Sequence, residues 1–182
     1  GGAGCLPVTG AGGWDLGGAS TDTGGTMLEG GLVAVGSSSA GTAGDPASGP
    51  FGAGTAAVVL SGSQLRATTA YGVPDVTVGN ALIIETNTTF ASGTAGAYSD
   101  KNLTFTGPAT LAASVTLTVN TTPATGGVAL NGAINDGGNA FGLTKAGVGT
   151  LTLGGVNTYS GPTTNSAGKL VLVTGGSCAA SV

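Results

Sequence analysis

The sequence predicts an all-β fold, a β-solenoid with a β-sandwich as the alternative, on three observations. Glycine recurs 38 times in 182 residues, too often for helices to survive, and no stretch holds a helical apolar period. Short segments instead alternate aliphatic residues with threonine, each bounded by Gly, Asn, Asp, Pro or Ser. The chain also overlies itself at a long offset, the mark of stacked repeats.

The alternating segments, in chain order, are Leu32–Val35, Ala56–Leu60, Val76–Val78, Ala81–Glu85, Leu103–Thr106, Val115–Val119, Val128–Leu130, Thr150–Leu153 and Lys169–Val173. The side chains of a strand point to opposite faces in turn. Leu103 and Phe105 therefore point inward and Thr104 and Thr106 outward; Val115, Leu117 and Val119 point inward against Thr116 and Thr118. Only 4% of residues are aromatic, as a narrow aliphatic core requires. Three strands and three turns make a coil of about 20–25 residues, so the chain supplies on the order of seven or eight coils, a rod about 35 Å long at the ordinary strand spacing.

Shifting the chain by 137 residues lays Leu6–Val35 on Leu143–Leu172 without a gap, with ten identities in thirty positions, among them Leu6/Leu143, Gly10/Gly147, Leu16/Leu153, Thr26/Thr163 and Gly31/Gly168. The expected organisation of residues 1–182 is a single solenoid domain. It holds a degenerate first copy at 5–45, inter-repeat coils at 46–141 and a second, incomplete copy at 142–182. The chain starts at Gly1 and stops partway through that copy, as a segment cut from a longer precursor does.

Charged residues make up 7% of the chain and the net charge is −4. Four scattered cations, Arg66, Lys101, Lys145 and Lys169, cannot neutralise a phosphate backbone, which excludes a nucleic-acid partner. The longest apolar runs are too short to insert into a membrane. Mean hydropathy is +0.37, against disorder.

Gly142–Leu172, "GLTKAGVGTLTLGGVNTYSGPTTNSAGKLVL", resembles the autotransporter-associated β-strand repeat, also called the passenger-associated transport repeat, almost position by position: GLTK-x-G-x-GTL-x-L, NTY-x-G-x-TT, then AG-x-L. The flanking "GPFGAGTAAVVLSGSQLRA" and "LTFTGPATLAASVTLTVN" resemble the sequence between such repeats. The resemblance implies a right-handed parallel β-helix in a large secreted or surface-displayed bacterial protein, structural or adhesive, with no catalytic residues to transfer. Nothing in the chain resembles the membrane barrel that ends self-exporting members.

The acids Asp15, Asp22, Glu29, Asp45, Asp75, Glu85, Asp100 and Asp136 sit mostly beside turn residues, and without histidine and with a single arginine they lack an active site's usual partners. The expectation is no enzyme, no cofactor and no metal site, since "GAGGWDLGG" and "NDGGNAFG" miss the regular spacing of calcium-binding glycine repeats. The candidate binding face, for a glycan or for ice, is made of Thr104, Thr106, Thr116, Thr118, Thr150 and Thr152. Cys5 and Cys178 lie several coils apart, too far to bond within one solenoid, and are candidates for a disulfide between subunits. The expected partner is a second copy stacked head to tail, or the rest of a longer chain, outside the cell or on its surface.

Overall fold

A computed structural model of the chain describes residues 5–68, 75–91, 102–121 and 126–173. Three parallel sheets rise through a stack of coils. The first holds β1 (Leu6–Val8), β3 (Thr26–Leu28), β7 (Val58–Leu60), β10 (Leu82–Ile84), β13 (Ala109–Leu111) and β16 (Ile134–Asn135). The second holds β2 (Gly13–Leu16), β4 (Leu32–Val35), β8 (Gln64–Ala67), β11 (Thr88–Ala91), β14 (Val115–Asn120), β17 (Leu143–Ala146) and β19 (Thr163–Asn165). The third begins later, with β9 (Val76–Val78), β12 (Leu103–Phe105), β15 (Gly127–Leu130), β18 (Thr150–Leu153) and β20 (Lys169–Leu172). This is a β-solenoid, as the sequence predicts, and its seven-stranded second sheet counts seven coils among the described residues.

All nine predicted segments contain strands, three with the predicted ends and the rest with ends moved by one or two residues. The strands not foreseen are short or interrupted: β1 contains Pro7, β2 contains Asp15, β13 is Ala-Thr-Leu, and β17 carries Lys145. Their alternation is too brief to stand out, and the neighbouring coils impose the strand.

Leu6, Thr26, Val58, Leu82, Ala109 and Ile134 stack in one rank, along which the coils run from 20 residues (Leu6 to Thr26) to 32 (Thr26 to Val58). The longest coil carries an antiparallel hairpin, β5 (Ala40–Thr42) with β6 (Asp45–Ser48). It stands where the third sheet has yet to begin. The Ser39 N–H donates to Thr77 O at 2.7 Å, the Thr77 N–H to Ser38 Oγ at 3.0 Å, and the Gly44 N–H to Gly79 O at 2.6 Å. The insertion thereby covers the edge of β9, which would otherwise present unpaired backbone.

The core is one aliphatic column along the axis, with Phe90 and Phe105 in tilted contact at 6.2 Å between ring centroids. Threonines flank it: Leu103, Phe105, Val115, Leu117 and Val119 are buried while Thr104, Thr116 and Thr118 are half-exposed. At the corner leading into the first sheet the backbone of each coil from Asn80 onward rests directly on the last. A Cβ on Gly107 would strike Asn80 O, one on Gly132 would strike Gly107 O, and one on Gly155 would strike Gly132 O. Glycine is required there for close approach.

Two substitution pairs test this arrangement. Leu117→Thr should lose about 1.5–3 kcal/mol of burial and a further ~1–3 kcal/mol for an unpaired hydroxyl, while Thr118→Leu should stay within about 0.5 kcal/mol of the parent. Equal losses in denaturant melts would remove the inside–outside assignment. Gly132→Ala should cost about 2–3 kcal/mol by forcing two coils apart, whereas Gly18→Ala, with nothing within 4 Å of the new methyl, should leave the melting temperature nearly unchanged.

Candidate functional site

The six candidate threonines are spread over two sheets. Thr104 and Thr152 belong to a rank on the third sheet, Thr77–Thr104–Ala129–Thr152–Val171, which Ala129 interrupts. Thr150 lies between Gly127 and Lys169 on the same sheet, and the hydroxyl of Thr106, just past β12, turns to Val78 O. Thr116 and Thr118 lie on the second sheet, where the ranks Thr116–Thr144–Thr164 and Thr89–Thr118–Ala146 run side by side. Sequence reasoning found alternate residues correctly but could not assign a segment to a sheet, since coil lengths vary.

Among the described residues no three His, Cys, Asp or Glu side chains come together in the way a metal site needs. Several acids and amides are engaged with backbone. The Asn102 N–H donates to Asp75 Oδ1 at 3.0 Å, the Gly127 N–H to Asn102 Oδ1 at 2.9 Å, and the Thr116 N–H to Asn87 Oδ1 at 2.8 Å. Asp100 and Cys178 lie outside the described residues; Cys5 is exposed.

Among the described residues two charged side chains are buried. Asp136 closes the turn after β16: its Oδ1 accepts from the Gly138 N–H at 2.9 Å, and its Oδ2 from the Ser160 N–H at 2.8 Å and the Ser160 hydroxyl at 3.1 Å. Foremost the Ser160 N–H, then those of Gly138 and Phe141, hold its carboxyl below the ordinary value of 3.8, and outweigh burial, which acts the other way. A coil-six turn is thereby tied to coil seven.

Lys145 was not foreseen as a buried group. It is fully buried in β17, on the interior rank Thr88–Leu117–Lys145. Its ammonium donates to three carbonyls, Ala146 O at 2.8 Å, Gly147 O at 2.8 Å and Ala167 O at 2.9 Å. The first belongs to the last residue of β17, the second to the turn that follows, and the third to the turn of the next coil. Burial pushes this ammonium below the ordinary lysine range. The signal was present: Lys145 has the parity of Leu143, opposite Thr144.

At the N-terminal end two inward-facing side chains are left uncovered among the described residues, Leu6 at 56% and Trp14 at 44% exposure. A groove of about 340 Å³ opens beside Leu6, lined also by Ser20, Asp22, Thr26, Phe51 and Gly52 among others.

Residues 143–172 match the passenger-associated-transport-repeat family. A 48-residue segment, 26% of this chain, is 52% identical to the adhesin BmaC autotransporter of Brucella suis biovar 1 (strain 1330), and spans 1% of that protein. No solved structure matches the chain significantly.

Asp136 supplies a pH test. Its folded-state affinity for a proton is lowered, so between the ordinary value of 3.8 and the folded value the unfolded chain binds more protons. Its contribution is present above that window and is lost as pH falls through it. Asp136→Asn should therefore melt lower than the parent at pH 7, with the gap narrowing on acidification below about pH 4. A gap that stays constant in thermal melts from pH 7 to pH 2.5 would contradict the assignment.

Proposed function

Residues 143–172 being a passenger-associated transport repeat, we propose that this chain is a non-enzymatic structural segment of a secreted or surface-displayed bacterial passenger, in which it forms part of a solenoid stalk. The carrying observation is where the repeat's polar groups go. The charge of Lys145 is spent on the turns of its own and the next coil, and the backbone of β17, β18, β19 and β20 on parallel pairing. The repeat uses its chemistry to stack.

The stalk reading extends to stacking on a second copy or on another coil of a longer chain. Leu6 and Trp14 are core residues with no coil beneath them among the described residues, and covering them would bury apolar surface. The joint would run through β2. The Leu6 N–H and Val8 O face β3, so Pro7, which has no N–H, faces the open side of β1 and blunts that edge. The second reading is adhesion: the adjacent ranks Thr116–Thr144–Thr164 and Thr89–Thr118 offer hydroxyls to a glycan.

Negative-stain microscopy of the purified protein over a concentration series tests the stacking. Rods should join end to end as concentration rises, and Trp14→Glu should leave single rods with an unchanged circular dichroism spectrum. Monodisperse rods at every concentration would remove stacking, and glycan-array binding lost in Thr144→Lys would move the reading to adhesion.

A further inference from the structure

The family match covers residues 143–172, yet the structure repeats that unit near the other end of the chain. In the matched unit, β17 pairs with β19 as Leu143↔Thr163, Thr144↔Thr164 and Lys145↔Asn165, and β18 pairs with β20 as Thr150↔Lys169 through Leu153↔Leu172. The same pairs recur 137 residues earlier. There β1 meets β3 as Leu6↔Thr26, Pro7↔Met27 and Val8↔Leu28, and β2 meets β4 as Gly13↔Leu32 through Leu16↔Val35.

The flanking hydrogen bonds recur as well. The Leu6 N–H donates to Gly25 O and the Leu143 N–H to Pro162 O; the Glu29 N–H to Val8 O and the Ser166 N–H to Lys145 O. The Leu32 N–H donates to Gly12 O and the Lys169 N–H to Gly149 O; the Gly36 N–H to Leu16 O and the Val173 N–H to Leu153 O. Glycines hold positive φ at two matching corners, 95° at Gly10 against 80° at Gly147 and 71° at both Gly31 and Gly168, while Gly30, at 134°, has no positive-φ counterpart in Ala167. A Cβ on Gly31 would strike Gly10 O and Gly12 O, and one on Gly168 would strike Gly147 O and Gly149 O. Compositional bias inflates sequence identity, but it does not reproduce pairing register and corner geometry together.

The two units lie on different faces. β1 and β3 belong to the first sheet and β2 and β4 to the second, whereas β17 and β19 belong to the second and β18 and β20 to the third. We infer that residues 6–35 are a second transport-repeat unit, set one face further back around the solenoid, and that its corner carries an ammonium-binding seat of the kind Lys145 fills. The seat is defined by backbone: Ala146 O, Gly147 O and Ala167 O in one unit correspond to Thr9 O, Gly10 O and Gly30 O in the other. Val8 stands where Lys145 does. The inference concerns how the unit is built and holds whether the chain stacks, adheres or does neither.

Val8→Lys tests it against Leu28→Lys, a lysine on the same inward rank one coil later. Val8→Lys should fold with a melting temperature within a few degrees of the parent. Its ammonium protons should exchange slowly enough to be seen by nitrogen–proton NMR beside those of Lys145, because all three face carbonyls. Leu28→Lys should melt far lower and show no second protected ammonium. A side chain that escapes to water at the chain's end would leave the protons fast, so tolerance without protection overturns the seat. The reverse change, Lys145→Val, recreates the arrangement of the first unit, and amide protection in β20 should persist. Loss of that protection, or a Val8→Lys protein as unstable as Leu28→Lys, would overturn the equivalence.

Discussion

Every coil of this protein must present its backbone to the coil before it and the coil after it at one fixed spacing, and that demand organises the rest. It is most visible at the corner of Asn80, Gly107, Gly132 and Gly155, where a single methyl group would collide with the carbonyl of the neighbouring coil. The side chains inside then have no freedom in height. Leu28, Leu60, Ile84 and Leu111 occupy one rank because their backbones do, and each is buried. Hydrophobic burial supplies the driving force, but the parallel ladder decides which residues receive it.

Coils of unequal length can satisfy this demand only if the turns absorb the difference, and polar side chains at strand starts do so. Asp75, Asn102, Asn87 and Ser114 each accept an N–H from the following coil, and Asn157 Oδ1 accepts the Ile134 N–H of the preceding one at 2.9 Å. They extend the ladder past the point where backbone pairing stops, so that donors at the strand ends stay paired. Asp136 and Lys145 are charged versions of the same device, one gathering N–H donors and the other carbonyls. A bond to an ion is stronger than a neutral one, and an ion without its partners in the interior is costly. Both residues therefore link a turn to the coil above it, where a misplaced coil would leave the charge unpaired.

These demands also fix how much the sequence could reveal. Alternation was enough to find nine strands and the solenoid, because large apolar residues such as Leu, Val, Ile and Phe mark their inward positions. Strands such as β13 and β19 were hidden, since three residues of Ala, Thr or Asn owe their extension to the strands beside them. The hairpin at Ala40–Ser48 was hidden for the same reason, its role being set by the bare edge of β9. The threonine face failed to appear as one surface because sequence gives a residue's parity but not its sheet. The burial of Lys145 was missed for a different reason. Lysine is almost never buried alone, and only the turn carbonyls, invisible in the sequence, make its position tolerable.

The same logic explains why a repeat can sit on different faces. A unit of four short strands needs, from its surroundings, only a parallel ladder on which to continue. All three sheets offer one at the same spacing, so the unit carries no requirement for a particular face. What it does carry is its corners: Gly10 with Gly31, or Gly147 with Gly168, in positive φ and packed against carbonyls. Outside those corners the chain is permissive. An insertion with its own hairpin follows Val35 directly, and Trp14 replaces the leucine of the other unit without altering a register. A solenoid of this kind can therefore change its surface widely, through turn insertions and outward residues, while the backbone contact between coils remains the one feature it cannot give up.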